Sequence, residues 1–122
     1  MTESILTSIK KMLGIDESYE HFDPDIIIHI NSVLAILTQL GVGNPAGFRI
    51  TDKTAVWTDF LGADVSNLEN VKTYIYLKVK LIFDPPTTAA AIESMERQAK
   101  EYEWRVNVAA DVPESLDVPQ IG

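Results

Sequence analysis

The sequence predicts a mainly α-helical protein, a small bundle of four to five helices in one domain. Apolar residues recur at three- and four-residue spacings along most of the chain, as on one face of a helix. Glycines and prolines separate these segments from one another. The chain of 122 residues is 46% apolar and 23% charged, which is enough apolar content to bury a core without disulfides or metals.

The first two helices lie on either side of an acidic segment. Thr2 is expected to cap the first helix, and Gly14 to end it. Its apolar residues are Ile5, Leu6, Ile9, Met12 and Leu13. Residues 16–25 carry five carboxylates and no lysine or arginine, which predicts a solvated loop. Asp23-Pro24 is expected to open the second helix, with Asp23 as the cap and Pro24 at the first helical position.

The middle of the chain is predicted to be irregular apart from one short helix. Residues 41–47 contain three glycines and a proline, the composition of a loop. Residues 48–50 are expected to form either a very short strand or an anchored turn. Thr51 or Asp52 is expected to cap a short helix that carries Trp57, Phe60 and Leu61.

The fourth helix, from Ser66 or Asn67 to about Phe83, is apolar on two sides. Its second side is predicted to lie either in the bundle or in a subunit contact. Residues 84–86 break the helix, and Thr87 or Thr88 caps a fifth one. A seam able to pack along a neighbouring helix comprises Ile92, Met95, Ala99, Tyr102 and Val106. Trp104 and Val108 lie off this seam and need another partner.

Residues 111–122 differ in composition from the helical domain, residues 1–110. They contain two prolines, three acids, no base and scattered aliphatic residues. We therefore expect an extended C-terminal arm that is disordered alone and orders on a partner.

Charge and motifs narrow the possible functions. Ten basic and 18 acidic residues give a net charge of −8, which argues against a basic stripe for nucleic-acid backbones. No apolar run is long enough to span a membrane, and the start of the chain does not resemble a signal peptide. We therefore expect synthesis in the cytoplasm.

The sequence contains few candidate catalytic residues, so we do not expect the protein to be an enzyme. The chain has no cysteine and two histidines, His21 and His29, and no phosphate-binding, nucleophile-elbow or zinc motif. His21 belongs to the hydrated acidic loop, and His29 is interpreted as a surface or satisfied core residue. We expect no metal and no cofactor.

Five segments of the sequence resemble head–tail connector proteins of tailed bacteriophages, in the order of that family. The segments are residues 4–15, 29–33, 39–43, 57–62 and 71–86, and the similarity extends over about residues 3–108. The last is the most distinctive, Val71-Lys72-Thr73-Tyr74-Ile75-Tyr76-Leu77-Lys78-Val79-Lys80-Leu81-Ile82-Phe83-Asp84-Pro85-Pro86. None is a mechanistic motif, so the resemblance rests on their sum.

The resemblance implies an adaptor, or head-completion, protein of the virion. Such proteins are small and mainly helical, and they form a ring, typically of twelve subunits, beneath the portal protein. The ring extends the DNA channel and docks the next connector or tail component. DNA would pass through without specific binding, and the acidic balance of the chain is compatible with a channel that does not retain phosphates.

These considerations assign expected roles to three sets of residues. The core is predicted to contain Ile9, Leu13, Ile30, Leu34, Leu37, Val71, Ile75, Val79, Ile82, Ile92 and Met95. The subunit interface is predicted to contain Tyr74, Leu77, Leu81, Tyr102 and Trp104. The arm that docks on the portal or a neighbouring subunit is predicted to use Val112, Pro113, Leu116, Val118, Pro119 and Ile121.

Two other functions are compatible with the sequence. A tail-completion or tail-terminator protein would be a different phage structural component, and such proteins are often richer in strand. An acidic helical module that binds a host protein would instead be a compact monomer.

Overall fold

The computed structural model describes the backbone of residues 3–117 and the side chains of residues 3–110. This part of the chain forms five α-helices: α1 (Ile5–Met12), α2 (Asp23–Gln39), α3 (Trp57–Leu61), α4 (Leu68–Phe83) and α5 (Ala89–Asp117). The prediction of a mainly α-helical bundle of four to five helices is confirmed. None of the helices within these residues is long and apolar enough to cross a membrane.

Helix α1 begins two residues later than the sequence predicted. Its cap is Ser4, whose hydroxyl oxygen accepts a hydrogen bond from the Thr7 backbone N–H at 3.2 Å. Thr2, the expected cap, lies outside the described residues. The backbone of Ser4 also forms an isolated antiparallel bridge with Val56, so this end of α1 is tied to the segment that leads into α3.

Helix α4 is the centre of the bundle. Helices α2 and α5 pack along it, and α1 contacts both α2 and α4. The fully buried side chains include two aromatic residues, Trp57 and Tyr74. The Trp57 indole N–H donates to the Ser8 hydroxyl at 2.9 Å, and that hydroxyl donates to the Ser4 carbonyl at 2.6 Å.

Most of the predicted core is confirmed. Seven of its residues are buried in one cluster: Ile9, Ile30, Leu34, Leu37, Val71, Ile75 and Val79. Leu13 is partly buried against that cluster, and Ile92 and Met95 are partly buried near the start of α5.

Ile82 is a wrong core assignment, because its side chain is 56% exposed. The buried stripe of α4 continues from Val79 to Phe83 rather than to Ile82. The Phe83 ring packs edge-on against Phe22, with ring centroids 5.3 Å apart. A four-residue step from Val79 thus brings Phe83 to the start of α2 and leaves Ile82 on the outside.

The acidic segment between α1 and α2 is held by one buried lysine. Lys10 is only 2% exposed, and its ammonium group donates to the carbonyl oxygens of Glu17 at 3.0 Å and Tyr19 at 2.7 Å. The same group lies 2.8 Å from the Asp23 carboxylate. The prediction that Asp23 caps α2 is therefore wrong: the cap residue is Phe22, and Asp23 is the ion-pair partner of Lys10 in the first turn.

The loop after α2 is an anchored segment rather than a strand. The Asn31 side chain accepts from the Ile50 backbone N–H at 2.7 Å and donates to the Ile50 carbonyl at 2.9 Å. This pair of bonds resolves the alternative left open for residues 48–50. Helix α3 starts at Trp57, later than predicted, where the Asp59 carboxylate accepts from the Val56 N–H at 2.9 Å.

Helices α4 and α5 form an antiparallel hairpin across the predicted break at residues 84–86. Thr88 caps α5 by accepting from the Ala91 N–H at 3.1 Å. The predicted seam of α5 is correct at Ala99 and Val106, which are 5% and 0% exposed.

The backbone of α5 continues as helix through Asp117. The prediction of an extended arm from Asp111 is therefore wrong for residues 111–117. Pro113 removes one backbone N–H, at a cost to a helix interior of about 3 kcal/mol, but it does not end this 29-residue helix. Residues 118–122 lie outside the described part of the chain.

Candidate interaction surface

Tyr74, a predicted interface residue, is enclosed within the chain. Its side chain is 0% exposed, and its hydroxyl lies 3.4 Å from the Glu103 carboxylate of α5. Burial, the negative charge of Glu103 and the hydrogen bond to it raise the pKa of Tyr74 to about 12. The tyrosine therefore stays neutral and links α4 to α5 rather than one subunit to another.

The other predicted interface residues range from buried to exposed. Leu77 is 3% exposed, whereas Trp104 is 66% exposed. Leu81 and Tyr102 are half-buried, and Tyr102 packs against the core with the Arg105 guanidinium 5.1 Å from its ring centre. Helix α5 covers the side of α4 that carries Tyr74 and Leu77, so these two residues are not accessible to a neighbouring subunit.

A groove of about 770 Å³ lies between the C-terminal half of α4 and the N-terminal half of α5. Its apolar lining is formed by Leu81, Ile82 and Ala99. Charged side chains of both signs also line the groove: Lys78, Glu93, Glu96, Arg97, Lys100 and Glu103. A groove with apolar and charged parts can bind a segment that is itself both apolar and charged.

A shallower hollow of about 490 Å³ continues this surface along α5. It is lined by Trp104, Asn107 and Val108, and it shares Lys100 and Glu103 with the groove. We call the residues that line the groove or the hollow the α4–α5 face. Trp104 and Val108 are 66% and 39% exposed. They are the two α5 residues that lie off the predicted apolar seam of this helix and were expected to contact another partner.

Sequence reasoning missed Ile82 as a member of this face. Its spacing from Val79 matches the core stripe as well as the spacing of Phe83 does, so periodicity could not separate the two. The prolines at positions 85 and 86 were a signal that Ile82 is exposed, because the last turn of a helix has fewer neighbouring helices to pack against. Lys78 and Lys100 had no signal in the sequence, since their proximity depends on the α4–α5 pairing.

The structure does not bring the predicted arm residues into this surface. Val112, Pro113 and Leu116 belong to the helical stretch 111–117, whose side chains lie outside the described residues. Val118, Pro119 and Ile121 lie outside the described residues altogether. Their role in docking stays a prediction.

The two histidines lie in a second, smaller surface cluster. The His21 ring is 4.9 Å from the Phe22 ring, and the His29 ring is 6.3 Å from the Phe83 ring, measured between centroids. His21 is exposed and His29 is half-buried. Among the residues that the structure describes, no three His, Asp or Glu side chains converge as metal ligands.

Comparison with known proteins identifies the family. The sequence matches the family described as "Phage connector protein" over residues 5–113. Comparisons with curated proteins and with solved structures found no match. The matched residues begin with α1 and include most of α5, so they contain the bundle and the entire α4–α5 face. The chain therefore belongs to the phage connector protein family.

Proposed function

We propose that this protein is a structural subunit of a phage head–tail connector. It forms a ring beneath the portal, typically of twelve subunits, extends the DNA channel and docks the next connector or tail component. The match to the connector family over residues 5–113 carries this proposal. The role is structural and places the protein in the virion, at the junction of head and tail.

The exposed apolar part of the α4–α5 face supports a subunit contact. Trp104 and Ile82 are 66% and 56% exposed, and charged groups of both signs lie beside them. Protein interfaces combine an aromatic or aliphatic centre with a polar rim in this way. The proposed ring contact therefore uses Leu81, Ile82, Trp104 and Val108, and it omits the buried Tyr74 and Leu77.

The charge of the chain supports passage of DNA without specific binding. The net charge is −8, and five of the ten basic residues are paired with carboxylates within the described residues. Phosphate backbones bind where several basic side chains line one surface. A ring of subunits with this composition repels the phosphates and lets DNA slide.

Co-sedimentation with DNA-filled, tail-less capsids of the phage that encodes this protein tests the proposal. We expect saturable binding of the purified protein at one vertex of each particle. Trp104→Asp should weaken this binding, because it places a charge in the proposed subunit contact. Ile28→Asp is the matched control, since Ile28 is also exposed, at 61%, but lies on α2 outside the α4–α5 face.

The alternatives give different results in the same assay. A tail-completion or tail-terminator protein would bind isolated tails and leave the capsids unoccupied. A module that binds a host protein would bind neither particle, and this result would overturn the structural role.

A further inference from the structure

We infer that the groove of the α4–α5 face receives residues 111–122 of a neighbouring copy of this chain. This inference rests on the ring in the proposed function and names the contact that would build it. Residues 111–122 of one copy are the donor segment, and the groove of the neighbouring copy is the acceptor site.

Residues 111–122 contain three carboxylates, no base and aliphatic residues that include Val112 and Leu116. These two are four residues apart, the spacing of one helix face. A segment of this kind needs an apolar surface with cations beside it, as when an amphipathic helix binds in a groove.

Within the described part of the chain, the groove combines an apolar surface with unpaired cations. Within residues 3–110, five basic side chains have no carboxylate within 4 Å. Three of them, Lys78, Arg97 and Lys100, line the groove beside Leu81 and Ile82. The other two, Arg49 and Lys53, lie exposed in the segment between α2 and α3.

The lining of the groove also carries three glutamates. Glu103 lies within hydrogen-bonding distance of the Tyr74 hydroxyl, while Glu93 and Glu96 are exposed. Arg97 and Lys100 follow Glu93 and Glu96 by four residues on α5, so charges of both signs share this helix face. Because the segment has no base, these cations are the groups that can neutralise its carboxylates.

The length of the chain prevents the segment from docking in the groove of its own copy. Ala99 lies in the groove, and α5 continues as helix to Asp117. At 1.5 Å per residue, Asp117 is about 27 Å further along the helix axis. Residues 118–122 span at most about 17 Å even when fully extended, so the segment reaches a groove only on another copy.

The resulting contact has the symmetry that a ring requires. Donor segment and acceptor groove are different surfaces, so each copy donates to one neighbour and accepts from the other. Such head-to-tail contacts close into rings or continue as filaments. The α4–α5 face thereby becomes the acceptor side of the subunit contact, and residues 111–122 become the donor side.

Cysteine cross-linking tests the inference in the full chain, which has no cysteine of its own. Ile82→Cys marks the groove and Leu116→Cys marks the segment. We expect a mixture of the two single variants to give a disulfide-linked heterodimer under mild oxidation. The chain carrying both substitutions should give a ladder of linked oligomers.

The outcomes that overturn the inference are distinct. An intramolecular disulfide in the doubly substituted chain would show that the segment reaches its own groove. Linkage of Ile82→Cys chains to each other alone would show a groove-to-groove contact. Absence of the heterodimer, both in free protein and in protein bound to capsids, would show that the segment does not dock there.

Charge reversal provides the matched control. Arg97→Glu with Lys100→Glu should lower the heterodimer yield about tenfold, because two attractive contacts become repulsive. Arg49→Glu with Lys53→Glu makes the same change in net charge outside the groove and should leave the yield unchanged. Asp111→Lys with Glu114→Lys in the donor should restore the yield for the reversed groove, and failure to do so would contradict the proposed pairing.

The cross-link and the capsid assay can fail independently. Vertex binding without the heterodimer would leave the connector function standing and overturn the docking of residues 111–122. The heterodimer without vertex binding would establish the docking and overturn the connector function.

Discussion

Replacing Lys10 with methionine tests how the acidic segment between α1 and α2 is held. The substitution keeps most of the buried aliphatic stem and removes the ammonium group. Three acceptors then lose their partner: the carbonyl oxygens of Glu17 and Tyr19, and the carboxylate of Asp23. We expect Lys10→Met to destabilise the fold even though methionine is the more apolar residue.

The magnitude follows from the burial of the pair. Removing one partner of a buried ion pair lowers the free energy of unfolding by about 3–5 kcal/mol. Lys10 is 2% exposed, but the Asp23 side chain is 19% exposed, so water can partly solvate the carboxylate that remains. We therefore expect the lower end, about 3 kcal/mol, which corresponds to a fall in Tm of roughly 10 °C for a domain of this size.

Urea denaturation followed by circular dichroism measures this change, and Lys11→Met is the matched control. Lys11 is the next residue of α1, is 58% exposed and lies 3.7 Å from Glu3. Exposed pairs of this kind contribute about 0–1 kcal/mol, so the control should unfold almost as the unmodified chain does. A double-mutant cycle with Asp23→Asn should give a coupling of about 1–2 kcal/mol.

Equal stability of the Lys10→Met and Lys11→Met variants would refute this reasoning. It would mean that the contacts of Lys10 do not contribute to the free energy of unfolding. The acidic segment would then be a solvated loop, as the sequence alone predicts.

Three further predictions follow from single positions. Leu77→Asp should lower the free energy of unfolding by about 4 kcal/mol because it buries an unpaired charge, whereas Trp104→Asp should change it by less than about 1 kcal/mol; equal thermal melts would contradict their different burial. The raised pKa of Tyr74, about 12, means that the folded chain holds this proton more tightly than the unfolded chain does. This difference contributes about 2–3 kcal/mol to the free energy of unfolding below pH 10, and the contribution is lost as the pH rises through about 12. Tyr74→Phe should therefore make the stability less dependent on pH in the alkaline range. A phenolate absorbance titration that is complete near pH 10 would disprove the raised pKa. Gly43→Ala should cost about 2–3 kcal/mol, since Gly43 has φ +78° and an added Cβ would lie 2.7 Å from a phenylalanine ring carbon; Gly47→Ala, with φ +98° and open space, should cost about 1 kcal/mol in the same denaturation assay.

The sequence predicted the features that depend on local periodicity. The buried stripe through Val71, Ile75 and Val79 follows from helical spacing alone, and so does the seam at Ala99 and Val106. The break at residues 84–86 follows from the chemistry of proline. These features need no knowledge of which helix lies beside which.

Features that depend on tertiary neighbours could not be predicted. Tyr74 was expected at a subunit interface but is buried, because α5 covers its side of α4. Ile82 was expected in the core but is exposed, because Phe83 forms the contact with α2. Lys10 and Asn31 each hold a loop through hydrogen bonds to its backbone carbonyl or amide groups. No spacing in the sequence predicts these contacts. The groove itself exists only once α4 and α5 are paired.

Residues 111–117 show a different limit of sequence reasoning. Two prolines and a change of composition predicted an extended arm, yet the helix continues through Pro113 to Asp117. Proline weakens a helix but does not by itself decide where a long one ends.

Imaging the unique vertex of capsids that carry the bound protein shows whether the protein is a connector beneath the portal. We expect a ring of copies directly beneath the portal, with a continuous channel along its axis and the α4–α5 face of each subunit in contact with the next subunit. Density for the protein in the tail, with the portal vertex unoccupied, would contradict a connector role beneath the portal.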